Sequence, residues 1–220
     1  MATRLNSVEK AAPGLLGFDA SVPVSAKAAK EFSRSGYRYC IRYLSRSTPQ
    51  PSDDLTAGEL KGLLAGGLAV MAVQHVMREG WIPSGDRGTQ YGEAAVANAK
   101  EVGLPKGVTV WLDLEGAHHG VNRTDVIAYC NHWFDVVAGA GYESGVYVGA
   151  SCGLDGGDLY WQLKTRHYWR SGSKVPDLPH RGYQLVQRIT SEPDIVSGIE
   201  IDRDVTYVDE FGDAVTWLAP

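Results

Sequence analysis

The chain has 220 residues, enough for one sizeable core and short for two ordinary domains. Its net charge of −5 lacks the basic footprint that phosphate-backbone binding requires, so no nucleic-acid partner is expected. No stretch approaches the roughly 20 apolar residues of a membrane span, and MATRLNSVEKAAPG at the start lacks the apolar centre of a secretory signal.

Strand-like and helix-like segments then alternate. Residues 1–14 read as an N-terminal extension and 15–220 as one domain. LLGFDA (15–20) is a short apolar strand, followed by helical sequence that Gly36 closes. The aromatic and β-branched YRYCIRYL (37–44) predicts a second strand. LTAGELKGLLAGG predicts the next helix, with Thr56 and Glu59 spaced as a capping box. LAVMAVQHV (68–76) is a third strand, and the alanine-rich TQYGEAAVANAKEVG (89–103) is a helix that Pro105 stops. VTVWLDLEG (108–116) is a fourth strand. Residues 124–141 carry the longest helical pattern, with Val126, Ile127, Trp133, Phe134 and Val137 at helix-face spacing. SGVYVGA (144–150), HYWRSG (167–172), GYQLVQRI (182–189) and GIEIDRDVT (198–206) complete eight strands, with one short helix in LYWQLKTR.

Strands separated by helices imply parallel pairing, because a parallel crossover needs about a dozen residues or more. Eight of them close a single (β/α)8 TIM-like barrel, here with reduced helices after the later strands. An open doubly wound sheet is the alternative, but no glycine motif for a nucleotide phosphate follows any strand.

Side chains alternate along a strand, so Trp111, Asp113 and Glu115 share one face while Val110, Leu112 and Leu114 share the other. The outer face of a barrel packs under helices and takes the leucines. The acids therefore turn inward at the strand's C-terminal end, where barrel enzymes keep their sites. The same rule turns Asp19 inward on strand one, and Asp202 and Asp204 inward on strand eight. Strands one and eight are neighbours in a closed barrel and strand four stands across from them, so carboxylates from three strands are expected to converge on one rim. Glu200 shares the inward parity and would sit too deep unless a bulge or an arginine intervenes. Arg42, near the end of strand two, is the expected counter-charge of the rim.

Crowded carboxylates repel one another, so at least one keeps its proton near neutral pH. A protonated acid beside an ionised one is the minimum equipment for splitting a glycosidic bond. Trp81, Tyr147 and Trp169 are candidate aromatic platforms for a sugar, and Gln187 a candidate hydrogen-bonding group. His118 and His119 follow Glu115 but lack the i, i+4 spacing of a helical zinc motif; no metal and no cofactor is expected. Cys40, Cys130 and Cys152 form no CxxC pair and read as buried free thiols.

LGFDASVP, GYRYCIRYLS, LTAGELKGLLAGGLAVMAVQ, GEAAVANAKEVGLPKGVTVWLDLEG, GVYVG, YQLVQ and IDRDVT occur in this order. Together they resemble the bacterial glycoside-hydrolase-like domain long catalogued as a domain of unknown function. That domain is similar to the family-25 glycoside hydrolases, the lysozymes that cut peptidoglycan after N-acetylmuramic acid. The resemblance implies Glu115 as proton donor, Asp113 as its acidic partner, and Asp19 and Asp202 completing the cleft. Gln187 matches a glutamine of those lysozymes, although Val186 precedes it where an aromatic is usual. Asp204 stands where an asparagine often follows the strand-eight aspartate. Arg42, Gln187, Trp81, Tyr147, Trp169 and Asp204 are thus candidate substrate-binding residues beside four candidate catalytic carboxylates.

The expected function is a peptidoglycan-directed glycoside hydrolase of muramidase type. The alternative is a non-catalytic or differently specialised barrel of the same fold that binds glycan or cell wall. Without a visible signal, the chain is expected to be cytoplasmic at synthesis. Phage lysis or a secretion apparatus would then deliver it to the cell wall or periplasm.

Overall fold

The computed structural model describes residues 6–188 and 194–220. The start of the predicted extension (1–5) and Ile189, the last residue of predicted strand seven, lie outside them. In chain order the elements are β1 (Ser7–Lys10), β2 (Leu16–Ala20), α1 (Ala26–Arg34), β3 (Tyr39–Leu44), α2 (Ala57–Ala65), β4 (Ala69–Gln74), α3 (Gly85–Val102) and β5 (Thr109–Leu114). They continue with α4 (Arg123–Gly139), β6 (Glu143–Val148), α5 (Gly156–Gln162), β7 (His167–Arg170), β8 (Leu185–Arg188), β9 (Asp194–Val196), β10 (Ile199–Thr206) and β11 (Thr216–Ala219).

Eight strands close a ring in the order β4, β3, β2, β10, β8, β7, β6, β5 and back to β4. The fold is a TIM-like barrel with reduced helices. Pairs from β2–β3 round to β7–β8 are parallel, as expected. β10 departs from the regular pattern and runs antiparallel to both β2 and β8. Only residues 189–198 separate β8 from β10, too few for a parallel crossover, and β10 accordingly runs back down the barrel.

This reversal corrects the expected depth of the strand-eight acids. Asp202 lies opposite Asp19, whereas Asp204 lies opposite Gly17, one layer further down. Glu200 is therefore above the rim and exposed, and neither a bulge nor an arginine is needed.

The barrel is filled by large rings packed against glycines. A Cβ at Gly17 would lie 2.3 Å from the Tyr39 ring, and one at Gly145 would lie 2.4 Å from the Trp111 ring. On the outer face, Phe18 of β2 stacks on Phe32 of α1 with centroids 4.0 Å apart, and Tyr37 packs edge-on to both. Burying each ring contributes about 1.5–3 kcal/mol, which fixes the strand that carries Asp19.

Helix starts differ from the expected ones for local reasons. α3 begins at Gly85, earlier than its alanine-rich stretch, on the Ser84 N-cap. Gly88 weakens the helical signal but is required there, since a Cβ would meet the Tyr129 carbonyl oxygen of α4 at 2.1 Å. α5 also starts early, on a capping box between Asp155 and Asp158. In α2, Thr56 caps the Glu59 N–H, but the Glu59 carboxylate turns away to Arg42 and the Val24 N–H, so the box is half made.

β1 and β11, which the sequence did not suggest, pair antiparallel, and β11 joins β4 at Val70, toward the foot of the barrel. Among the described residues no helix is long and apolar enough to cross a membrane. Cys40, Cys130 and Cys152 are free and buried.

Candidate active site

β2, β5 and β10 each deliver carboxylates to the mouth. Leu112 and Leu114 are buried on the outer side of β5, which turns Asp113 inward and leaves Glu115 just beyond the strand end. Asp19 and Asp113 are only 4% and 5% exposed, Glu115 is half-buried and Asp202 is exposed. Gln187 of β8 ties two of them together: its Nε2 donates to Asp19 Oδ2 at 3.0 Å and to Asp202 Oδ2 at 3.2 Å. The Tyr43 hydroxyl lies 3.4 Å from Asp19 Oδ1.

Burial dominates the electrostatics. It pushes the Asp19 carboxyl up to about 7; the Gln187 amide works against this and the Asp202 charge works with it. Asp113 is raised well above the usual range by burial, then by Glu115 and Asp19, with a backbone N–H from Val76 opposing. Glu115 is raised by burial and by Asp202. Asp202 is raised by burial, then by Glu200 and Asp194. All four carboxyls of the mouth are thus held above their ordinary proton affinity, which suits a group that must deliver a proton to a leaving oxygen. Among the described residues no three His, Cys, Asp or Glu side chains are grouped to hold a metal ion.

A family model described as "Rv2525c-like, glycoside hydrolase-like domain" matches residues 30–206. The chain belongs to this family. The Mycobacterium tuberculosis Tat-secreted protein Rv2525c, solved with L-tartrate, is 17% identical with a TM-score of 0.68, over 92% of this chain and 99% of that one. A bacterial lysozyme from Streptomyces coelicolor is 16% identical with a TM-score of 0.60, over 89% and 93% of the two chains. A family 25 glycosyl hydrolase from Bacillus anthracis is 16% identical with a TM-score of 0.58, over 96% and 97%. At such identities the likeness is one of fold. No curated sequence matches the chain.

In this Rv2525c-like domain the mouth gathers Asp19, Asp113, Glu115, Asp202 and Gln187, together with half-buried Tyr147, whose hydroxyl donates to Gln187 Oε1 at 3.0 Å. The other candidate contacts lie elsewhere. Arg42 has the outward parity of β3 and is wholly buried under α2, where its Nε meets Glu59 Oε1 at 2.7 Å; it is no counter-charge for the rim. Trp81 is a support rather than a platform: its ring packs edge-on against Tyr129, and its indole N–H donates to the Glu115 carbonyl at 2.7 Å. Trp169 lies beneath the mouth, edge-on to Trp111 and Tyr147. Its N–H donates to Asp204 Oδ1 at 2.8 Å, and Asp204 is fully buried, out of reach of a ligand.

Two further residues shape the site of the Rv2525c-like domain. Tyr43 shares the inward parity of Tyr39 and Ile41, a signal present in YRYCIRYL. Gly149 follows β6 beside the Glu115 side chain, and a Cβ there would sit 2.5 Å from Glu115 Cβ. A glycine contributes no chemistry of its own, so only register identifies it.

Proposed function

We propose that the protein hydrolyses a glycosidic bond of bacterial cell-wall peptidoglycan as a muramidase. Glu115 donates the proton to the leaving oxygen. Across from it, an ionised carboxylate of the Asp113, Asp19 and Asp202 set stabilises the oxocarbenium-like centre, attacks it or activates water. The observation that carries this reading is the convergence of acids from β2, β5 and β10 on one mouth, with Glu115 held above its ordinary proton affinity. Similar structures described as a lysozyme and a family 25 glycosyl hydrolase support the substrate class. Tat secretion of the Mycobacterium tuberculosis relative supports action outside the cytoplasm, after delivery.

The test is release of soluble muropeptides from purified walls by wild type and by Glu115→Gln. Release by wild type and its loss in the variant are expected. Undiminished release by Glu115→Gln removes the proton donor. Wall binding by wild type without any release favours a glycan-binding barrel instead.

A further inference from the structure

A cavity of about 500 Å³ adjoins the carboxylate mouth, walled by Arg46, Asp54, His75, Val76, Gln90 and Tyr91. It shares walls with the mouth on two sides. Val76 also borders the cavity that holds Glu115. His75 stacks on Tyr43 at 4.4 Å, and Tyr43 borders the cleft of Asp19 and Asp202.

The cavity is built rather than incidental. The loop that carries Arg46 is fastened from behind by two buried amides. Asn98 Nδ2 donates to the carbonyls of Ser45 and Ser47, both at 3.0 Å, and Gln74 Nε2 donates to the Ser45 carbonyl at 3.0 Å. The Arg46 guanidinium rests over the Tyr91 ring, 5.6 Å from its centroid, and the Tyr91 hydroxyl points to the Met77 sulfur. Arg46 has no carboxylate partner among the described residues. The one acid of the cavity wall, Asp54, is engaged by His75 Nε2 at 2.7 Å. Arg46 is therefore left without an ion pair among the described residues, and it stands beside a mouth that gathers Asp19, Asp113, Glu115 and Asp202.

A neutral glycan has no use for such a charge. A ligand with a negative group near its scissile bond does, since the acids repel that group and Arg46 attracts it. We propose that the Arg46 cavity binds the carboxylate-bearing substituent, acyl or peptide, of a sugar seated at the acids, and so selects acid-substituted glycans. This rests on reading the mouth as a glycan site.

The probe is N-acetylmuramyl-L-alanyl-D-isoglutamine as the free acid and as its carboxamide, titrated calorimetrically into wild type, Arg46→Gln and Arg46→Lys. Wild type is expected to favour the free acid by about tenfold or more, the scale of one charge-assisted pair. Arg46→Gln loses that preference, and Arg46→Lys, which keeps the charge without the fork, retains part of it. A preference intact in Arg46→Gln overturns the proposal, as does wild type that binds both forms alike or binds neither. Muropeptide release is scored separately. Acid preference without release sinks the hydrolase reading and upholds the cavity, whereas release without acid preference does the reverse.

Discussion

The amide of Gln187 donates to Asp19 at 3.0 Å, and its orientation is set from behind. The Tyr147 hydroxyl and the Gly172 N–H both donate to Gln187 Oε1, at 3.0 and 3.2 Å, so the NH2 group is left to face the acids. A donor aimed at a carboxylate favours its ionised form and opposes the burial that lifts Asp19. Gln187→Met removes both N–H contacts. The limb of the pH–rate profile governed by Asp19 should move to higher pH by about one unit, the scale of one lost hydrogen bond to a charged group. A profile that keeps its position contradicts the coupling.

Stability should carry the same signature. Asp19 holds its proton up to about 7 in the folded protein, far above its ordinary value of 3.8. The folded state thus keeps a proton that the unfolded state releases. The stabilisation is complete below the unfolded value and is lost as pH rises through the folded one. Asp113 and Asp204, also raised, add in the same direction. Asp19→Asn should therefore be more stable than wild type at about pH 8 by on the order of 2 kcal/mol, with little difference at about pH 4. Urea melts at the two pH values measure it. A gap that grows toward acid pH reverses the sign and defeats the assignment.

Gly149 makes a sharper test of Glu115. An added methyl would lie 2.4 Å from Glu115 Oε2 and 2.5 Å from its Cβ, so the carboxyl must swing away. Gly149→Ala should lower kcat by about a hundredfold, the scale of an ångström of misplacement, and should lower the melting temperature as well, because Glu115 Cβ is fixed to its backbone and cannot swing aside. Gly145→Ala strikes the Trp111 ring instead and should cost stability first. Wild-type kcat in Gly149→Ala would detach this position from the chemistry.

Asp204 separates two kinds of substitution. Its Oδ1 takes the Trp169 N–H, while its buried Oδ2 accepts from no group among the described residues. Burial first, and then Asp19, drive its carboxyl toward the protonated form, which donates to Asp19. Asparagine still presents an oxygen to Trp169 and an N–H to Asp19; alanine presents neither. Asp204→Asn should keep most of the stability, whereas Asp204→Ala should lose about 1–3 kcal/mol, the cost of leaving buried partners unmade. Equal losses in the two variants would show that the proton-sharing contact contributes nothing.

Much of the site was legible because period-two alternation survives burial: Asp113 on β5, Glu115 just beyond its end and Asp19 on β2 follow directly from which neighbours are leucine or phenylalanine. Alternation is blind to direction, however. IEIDRDVT has the same inward set whether it runs up or down, so Asp202 keeps its place at the rim while the depths of Glu200 and Asp204 came out inverted; only the short 189–198 connection carried the correction. Arg42 alternates with Ile41 and Tyr43, so its outward placement was readable, but its partner Glu59 was expected to cap its own helix. β1 and β11 are four residues each and find one another across almost the whole chain, a pairing no local pattern announces.

Because β10 descends, the chain goes on to place β11 against β1 and, at Leu218, opposite Val70, the end of β4 remote from His75. A tether, reporter or carrier module grafted through either of these strands would hang from the pole opposite the carboxylates. Immobilising the protein that way should leave access for an insoluble, sheet-like polymer unobstructed.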